Sequence, residues 1–170
     1  MDANTLRAMQ APLKEKYRAD ATAAAITLRA SGQLGEGVTC RVETGRAILE
    51  AGLHPATGGD GMSACSGNML LDALVACAGV TLSAVATAIG ITLRGGKLSA
   101  EGDLDFRGTL GVSKDAPVGF KSIRLRFDLD TDATREQLEN LLRLTERYCV
   151  VYQTLRAPAT LNATIHSTAS

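Results

Sequence analysis

The chain has 170 residues, 45% of them hydrophobic and 21% charged, and its 18 basic and 18 acidic residues cancel. That length suits one domain able to bury a core, and zero net charge excludes the basic surplus of a general nucleic-acid binder. The first twenty residues mix charges and hold no apolar segment of the secretory kind, which places the chain in a reducing cytoplasm where thiols stay thiols.

In chain order, residues 1–18 predict an amphipathic helix, with Leu6, Met9, Leu13 and Tyr17 at helical spacing. Residues 21–51 predict a β-meander of three short strands, Thr22–Ala30, Val38–Glu43 and Arg46–Glu50, with Ser31-Gly32 and Thr44-Gly45 as turns. His54–Gly67 has loop composition. Residues 68–90 predict a central helix stopped by Gly90, with Ser66 or Asn68 as cap and Asp72 near the positive end. Residues 92–130 predict a two-stranded hairpin, Thr92–Leu110 and Lys121–Asp130, joined by Gly111–Gly119. In its second strand Ile123, Leu125, Phe127 and Leu129 alternate with Arg124, Arg126 and Asp128. Residues 132–156 predict a second helical segment opened by Asp132, with Leu138, Leu141, Leu142 and Tyr148 on one stripe. Cys149 falls at its end or in a short continuation. Pro158 breaks the chain, and residues 159–166 predict a last strand. The sum is a single α+β domain over residues 1–170 with an antiparallel sheet.

The run Met69–Leu93 is the most apolar stretch of the chain. Roughly 20 apolar residues suffice to cross a bilayer. Asp72 inside it, its many small residues and the lack of a second span argue instead for a buried core helix and no membrane partner. A helix apolar all round needs cover on every side. One small sheet supplies too little, so a partner subunit is expected, making a homodimer.

Four cysteines are present: Cys40, Cys65, Cys77 and Cys149. A free cysteine most often packs as a small hydrophobe. Against that reading, Cys77 and Cys149 each sit on their own helix, and paired thiols suit redox chemistry. A thiolate needs a positive neighbour, for which Arg29, Arg41 and Arg46 are candidates. A thiolate that attacks a peroxide becomes a sulfenic acid, a second thiol condenses with it to a disulfide, and an external dithiol restores both. Apolar surroundings at Cys77 favour an organic peroxide over hydrogen peroxide. No zinc-type Cys or His spacing appears. Gly58, Gly59 and Gly61 match neither a P-loop nor a dinucleotide fingerprint, so no cofactor is expected. His54 reads either as a base or as a solvated loop histidine. Asn68 and Asp72 read as cap and first-turn residues. Cys40 and Cys65 read as incidental, with Cys65 an alternative partner for Cys77.

Three motifs in order, LLDALVACAGVTL around Cys77, EGDLDFRGTLGV after the central helix and ERYCVVYQTL around Cys149, resemble the OsmC/Ohr family of organic-hydroperoxide reductases. The resemblance runs from Tyr17 to Ile165. It implies an intertwined homodimer in which two long helices are enclosed by antiparallel sheets from both subunits. It also implies Cys77 as the peroxidatic thiol and Cys149 as the resolving one. The implied substrate is an organic hydroperoxide, in oxidative-stress defence, and the implied reductant is a small dithiol, typically on a lipoylated protein. Where well-known members carry Asn-Pro-Glu, this chain has Cys65-Ser66-Gly67, and the hairpin GQLGEG lacks the family's arginine. Arg41, His54 and Asn68 are then the candidate activating groups. The alternative is a non-catalytic member whose dimer binds an apolar small ligand, its thiols merely buried.

Overall fold

The computed structural model describes residues 3–34, 40–42, 52–62 and 64–166. In order these form α1 (Ala3–Ala19), β1 (Ala25–Leu34), β2 (Cys40–Val42), α2 (Ser66–Ala88), β3 (Gly95–Asp105), α3 (Phe106–Thr109), β4 (Ser122–Asp130), α4 (Arg135–Tyr148) and α5 (Val150–Arg156), with one-turn 3-10 helices at Ala21–Ala24 and Pro55–Thr57. The expected α+β architecture is present. The four strands form one antiparallel sheet in the order β2-β1-β3-β4.

Alternation gives the sheet two unlike faces. On the inner face Leu98 and Ala100 are fully buried against Leu71, Leu74, Val75 and Ala78 of α2, with Ile123, Leu125 and Phe127 half-buried beside them. On the outer face Arg29 pairs with Glu101 at 3.0 Å, and Arg124 bridges Glu101 and Asp103. Asp103 also accepts from Thr27 and Ser122, each at 2.6 Å. Hydrogen bonds from Arg124, Ser122 and Thr27 hold its carboxyl well below the usual carboxylate range.

Two strand expectations need correction. Ser31-Gly32 is not a turn: β1 runs straight through it, pairing Ser31 with Ser99 and Gly32 with Leu98. Gly32 is buried and shares Leu98's face, so it marks a close approach of α2 to the sheet. Residues 159–166 form no strand. Leu161 and Ile165 are 91% and 97% exposed. Alternation alone does not make a strand; a ladder needs a neighbouring edge, and this segment meets none among the described residues. The expected strand Arg46–Glu50 lies outside the described residues.

The helices follow their capping chemistry. α2 begins after Cys65, its N-cap, rather than at Asn68, and ends at Ile89, with Gly90 at φ 73° turning the chain out of the helix. α4 starts from Thr134, not Asp132: Thr134 Oγ1 accepts from Gln137 N, and Gln137 Oε1 accepts from Thr134 N, a reciprocal capping box. The buried stripe of α4 is Leu138, Leu141, Thr145 and on to Cys149, while Leu142 and Tyr148 are exposed. α2 is long and apolar enough to cross a membrane, yet half of its most apolar window is buried inside the fold. Its uncovered side is a stripe at helical spacing comprising Ser66, Leu70, Ala73, Val80 and Ala84, with half-buried Cys77 at its centre.

Candidate active site

Cys77 lies midway along α2, and Cys149 lies at the junction of α4 and α5. α2 packs against both α4 and α5, and this brings together two thiols 72 residues apart in sequence (149 − 77). The two thiols are neighbours, each shifting the ionisation of the other. Both are free thiols, Cys77 half-buried and Cys149 1% exposed.

Cys149 has two backbone roles. It is the C-cap of α4, its N–H donating to Thr145 O at 2.9 Å, and the N-cap of α5, its Sγ accepting from Tyr152 N–H at 3.5 Å. The first N–H groups of a helix have no partner inside it. Here Tyr152 offers its own to Cys149 Sγ at 3.5 Å, and the N–H groups of Val150 and Val151 favour ionisation of the neighbouring thiols, both acting on Cys77 and Val151 on Cys149 as well. The Cys149 sulfur therefore caps the first turn of α5, with the Cys77 thiol beside it.

This arrangement makes the two thiols unequal. Burial pushes the Cys77 thiol up. The Val151 N–H, the Cys149 thiol and the Val150 N–H outweigh that and leave it below the ordinary thiol value. Burial pushes the Cys149 thiol up; the Tyr152 and Val151 N–H groups oppose this, but the neighbouring Cys77 raises it further. Cys77 therefore ionises first and Cys149 keeps its proton, donating it toward the Cys77 thiolate. The groups that favour the thiolate most are dipoles: backbone N–H groups and a thiol. Thr81, one turn beyond Cys77, donates to Cys77 O at 2.7 Å.

Those other sequence candidates whose side chains are described lie elsewhere or are occupied. His54 caps the 3-10 turn Pro55–Thr57, its Nδ1 accepting from Ala56 N–H at 3.0 Å, and it stacks on Phe106 at 5.0 Å. Burial pushes its pKa down. It belongs to the cluster around Tyr17 and Phe106, not to the core around Cys77. Asn68 precedes Cys77 by about 2.5 turns, at 3.6 residues per turn, on the opposite side of α2. Its Oδ1 is buried with no hydrogen-bond partner among the described residues. Arg41 is in register with Gln33 on β2, and its side chain lies outside the described part, as does Arg46. Arg29 is held by Glu101 on the outer face of the sheet. Cys65, twelve residues from Cys77, is about 18 Å away along α2 at 1.5 Å per residue, far beyond disulfide reach. Cys40 pairs with Leu34 on β2. Asp72 is no first-turn cap residue; it is partly buried, and burial raises its pKa.

Sequence reasoning missed the Val150 and Val151 N–H groups and Thr81. A backbone donor carries no side-chain signature, but a cysteine at a helix end was a pointer to it. Thr81, at the fourth position after Cys77, was legible as a helical neighbour.

A family model described as OsmC-like protein matches residues 58–164. Two solved structures are similar in fold. One is an OsmC-like hydroperoxide resistance protein from Jannaschia sp. CCS1, 16% identical, with a TM-score of 0.58, covering 86% of this chain and 97% of that one. The other is an OsmC-like protein from Mycoplasma pneumoniae, 16% identical, with a TM-score of 0.55, covering 79% of this chain and 86% of that one. No curated protein matches the chain.

Proposed function

The chain belongs to the OsmC-like protein family, and from that premise we propose that it is a cytoplasmic thiol-dependent peroxidase that reduces organic hydroperoxides through Cys77 and Cys149. The observation that carries the proposal is the meeting of two free thiols from separate helices in one core cluster, one of them favoured toward ionisation and the other against it. Resistance to hydroperoxides named for the Jannaschia relative agrees with this reading.

The Cys77 thiolate attacks one oxygen of the O–O bond. A sulfenic acid forms on Cys77, and the departing alkoxide takes a proton to leave as an alcohol. The Cys149 sulfur then attacks the sulfenic sulfur, the S–S bond forms, and the hydroxyl leaves as water with the Cys149 proton. An external dithiol, such as a lipoylated protein carries, reduces the disulfide and is itself oxidised to a disulfide. In this reading the dipoles at the start of α5 take the place of the family's arginine and glutamate in holding the thiolate.

The reading includes a homodimer. Leu70, Ala73 and Val80 leave an apolar stripe along α2 on either side of Cys77, and a second copy of the same helix is a fitting cover. Closing that side would leave Cys77 in an apolar channel suited to an alkyl hydroperoxide.

A second reading, an apolar-ligand binder without chemistry, is favoured by one feature. A groove of about 450 Å³ between β4 and the helices α4 and α5 is lined by Leu74, Phe120, Ile123, Leu125, Phe127 and Tyr152. Consumption of an alkyl hydroperoxide with a dithiol reductant separates the two. The peroxidase reading expects turnover by the wild type and loss of it in Cys77→Ser; equal rates in both would refute it.

A further inference from the structure

Reduction of a Cys77–Cys149 disulfide poses an access problem. Cys149 is 1% exposed, and Cys77 is half-buried on the side of α2 that a second copy would cover, so in that dimer a dithiol on another protein does not reach the bond as the fold stands. Some element must move, and α5 has the weakest hold. It has only seven residues and none of them is buried. Val150 is 70% exposed, and residues 157–166 beyond it are exposed throughout. So short a helix is not stable by itself. It is held by half-buried Val151, Tyr152 and Leu155 against the core, by Gln153 Nε2 donating to Glu146 O at 2.7 Å, and by the Cys149 sulfur at its first turn, with the Cys77 thiol beside it.

Oxidation acts on those sulfurs. In the reduced pair the Cys149 sulfur accepts from Tyr152 N–H as the N-cap of α5, and the Cys77 thiol lies beside the same turn. In the disulfide both sulfurs are neutral, and each must turn toward the other with the specific torsion an S–S bond demands. Neither is then a good acceptor for the N–H groups of α5, while burial makes unmet N–H groups costly.

We propose that α5 is a redox-gated cover: oxidation of the Cys77–Cys149 pair uncaps its first turn, the helix loosens, and the buried disulfide opens to its reductant. This rests on the cysteine pair of the proposed function. Reduction restores the caps and closes the cover, so access is timed to the oxidised state without a ligand or a second protein.

Hydrogen exchange of the full chain tests this. The disulfide is formed with diamide, a thiol oxidant that takes up the two thiol hydrogens, and its formation is verified by mass. On oxidation the amides of Gln153 through Ala157 are expected to exchange about tenfold faster or more, as loss of a helix cap implies, while Leu138 through Thr145 of α4 keep their protection. Cys149→Ser, whose hydroxyl still caps the helix but cannot form the disulfide, keeps α5 protected in the presence of diamide. Cys149→Ala speeds exchange in α5 without any oxidant. Unchanged protection of α5 in verified disulfide protein overturns the proposal, as does equal loss from α4 and α5. If diamide forms no disulfide, the cysteine-pair reading and the cover fail together. If diamide forms it and an alkyl hydroperoxide does not, the peroxidase reading fails while the cover stands or falls on its own exchange data.

Discussion

Replacing Cys149 by alanine and by serine separates its two parts in the chemistry of Cys77. Both variants remove the resolving sulfur. Alanine also removes the donor that points at the Cys77 thiolate, whereas a serine hydroxyl keeps one. A hydrogen bond to a charged group contributes about 1.5–3 kcal/mol net. Cys77 is only half-buried, so solvent screens the interaction and the lower end applies, and about 1.4 kcal/mol is a factor of ten. At a pH below the titration of Cys77, the ionised fraction should therefore fall about tenfold in Cys149→Ala and stay near wild type in Cys149→Ser. Ultraviolet absorbance of the thiolate, in a background of Cys40→Ser and Cys65→Ser, measures that fraction directly. It is a better readout than alkylation rate, because a less acidic thiolate is also the stronger nucleophile and part of the loss would be hidden. An alanine variant as ionised as wild type would refute the reasoning. A serine variant that falls as far as alanine would also refute it, since the donor would then not matter.

Further predictions concern stability. His54 has its pKa lowered by burial, and its Nδ1 must stay unprotonated to accept from Ala56 N–H. The unfolded chain binds that proton more readily than the folded one, so its contribution is present above about pH 6.5 and is lost as pH falls below it. Urea midpoints should drop between pH 7.5 and 5.5, and less so in His54→Gln; an equal slope in both removes His54 from the account. Thr134→Ala should cost about 1 kcal/mol in urea unfolding by deleting the capping box of α4, and an unchanged midpoint would contradict the cap. Leu98→Ala, on the inner face against α2, should cost about 2–5 kcal/mol; a loss below about 1 kcal/mol would show that the sheet does not pack there as described.

Local chemistry made most of the fold legible. The repeating leucines of α4, the alternation of Ile123 to Leu129 and the stop at Gly90 each describe a nearest-neighbour preference, and each has its element. What failed depended on contacts distant in sequence. Ser31-Gly32 has turn composition, but Gly32 pairs with Leu98 of β3, far along the chain (98 − 32 = 66), and that ladder holds it in a strand. The alternation in 159–165 is as clear as in β4, yet a strand needs an edge to pair with. At the site, the two cysteines were readable as candidates, but their meeting depends on α2 packing beneath the α4–α5 junction. No glycine or proline marks the break at Cys149, so its double capping role was hidden. His54 before Pro55 could have been read as a cap, since proline favours the first position of a helical turn.

The central claim is that Cys77 takes oxygen from a hydroperoxide and hands its oxidation to Cys149. Treating the reduced protein with one equivalent of an alkyl hydroperoxide, then mapping its peptides by mass, tests this most directly. The account predicts loss of two hydrogens from the chain and a linked peptide pair containing Cys77 and Cys149, with a sulfenic acid trapped on Cys77 alone in Cys149→Ser. A chain that keeps all its thiols, or a sulfenic acid found on Cys149 instead of Cys77, would contradict it.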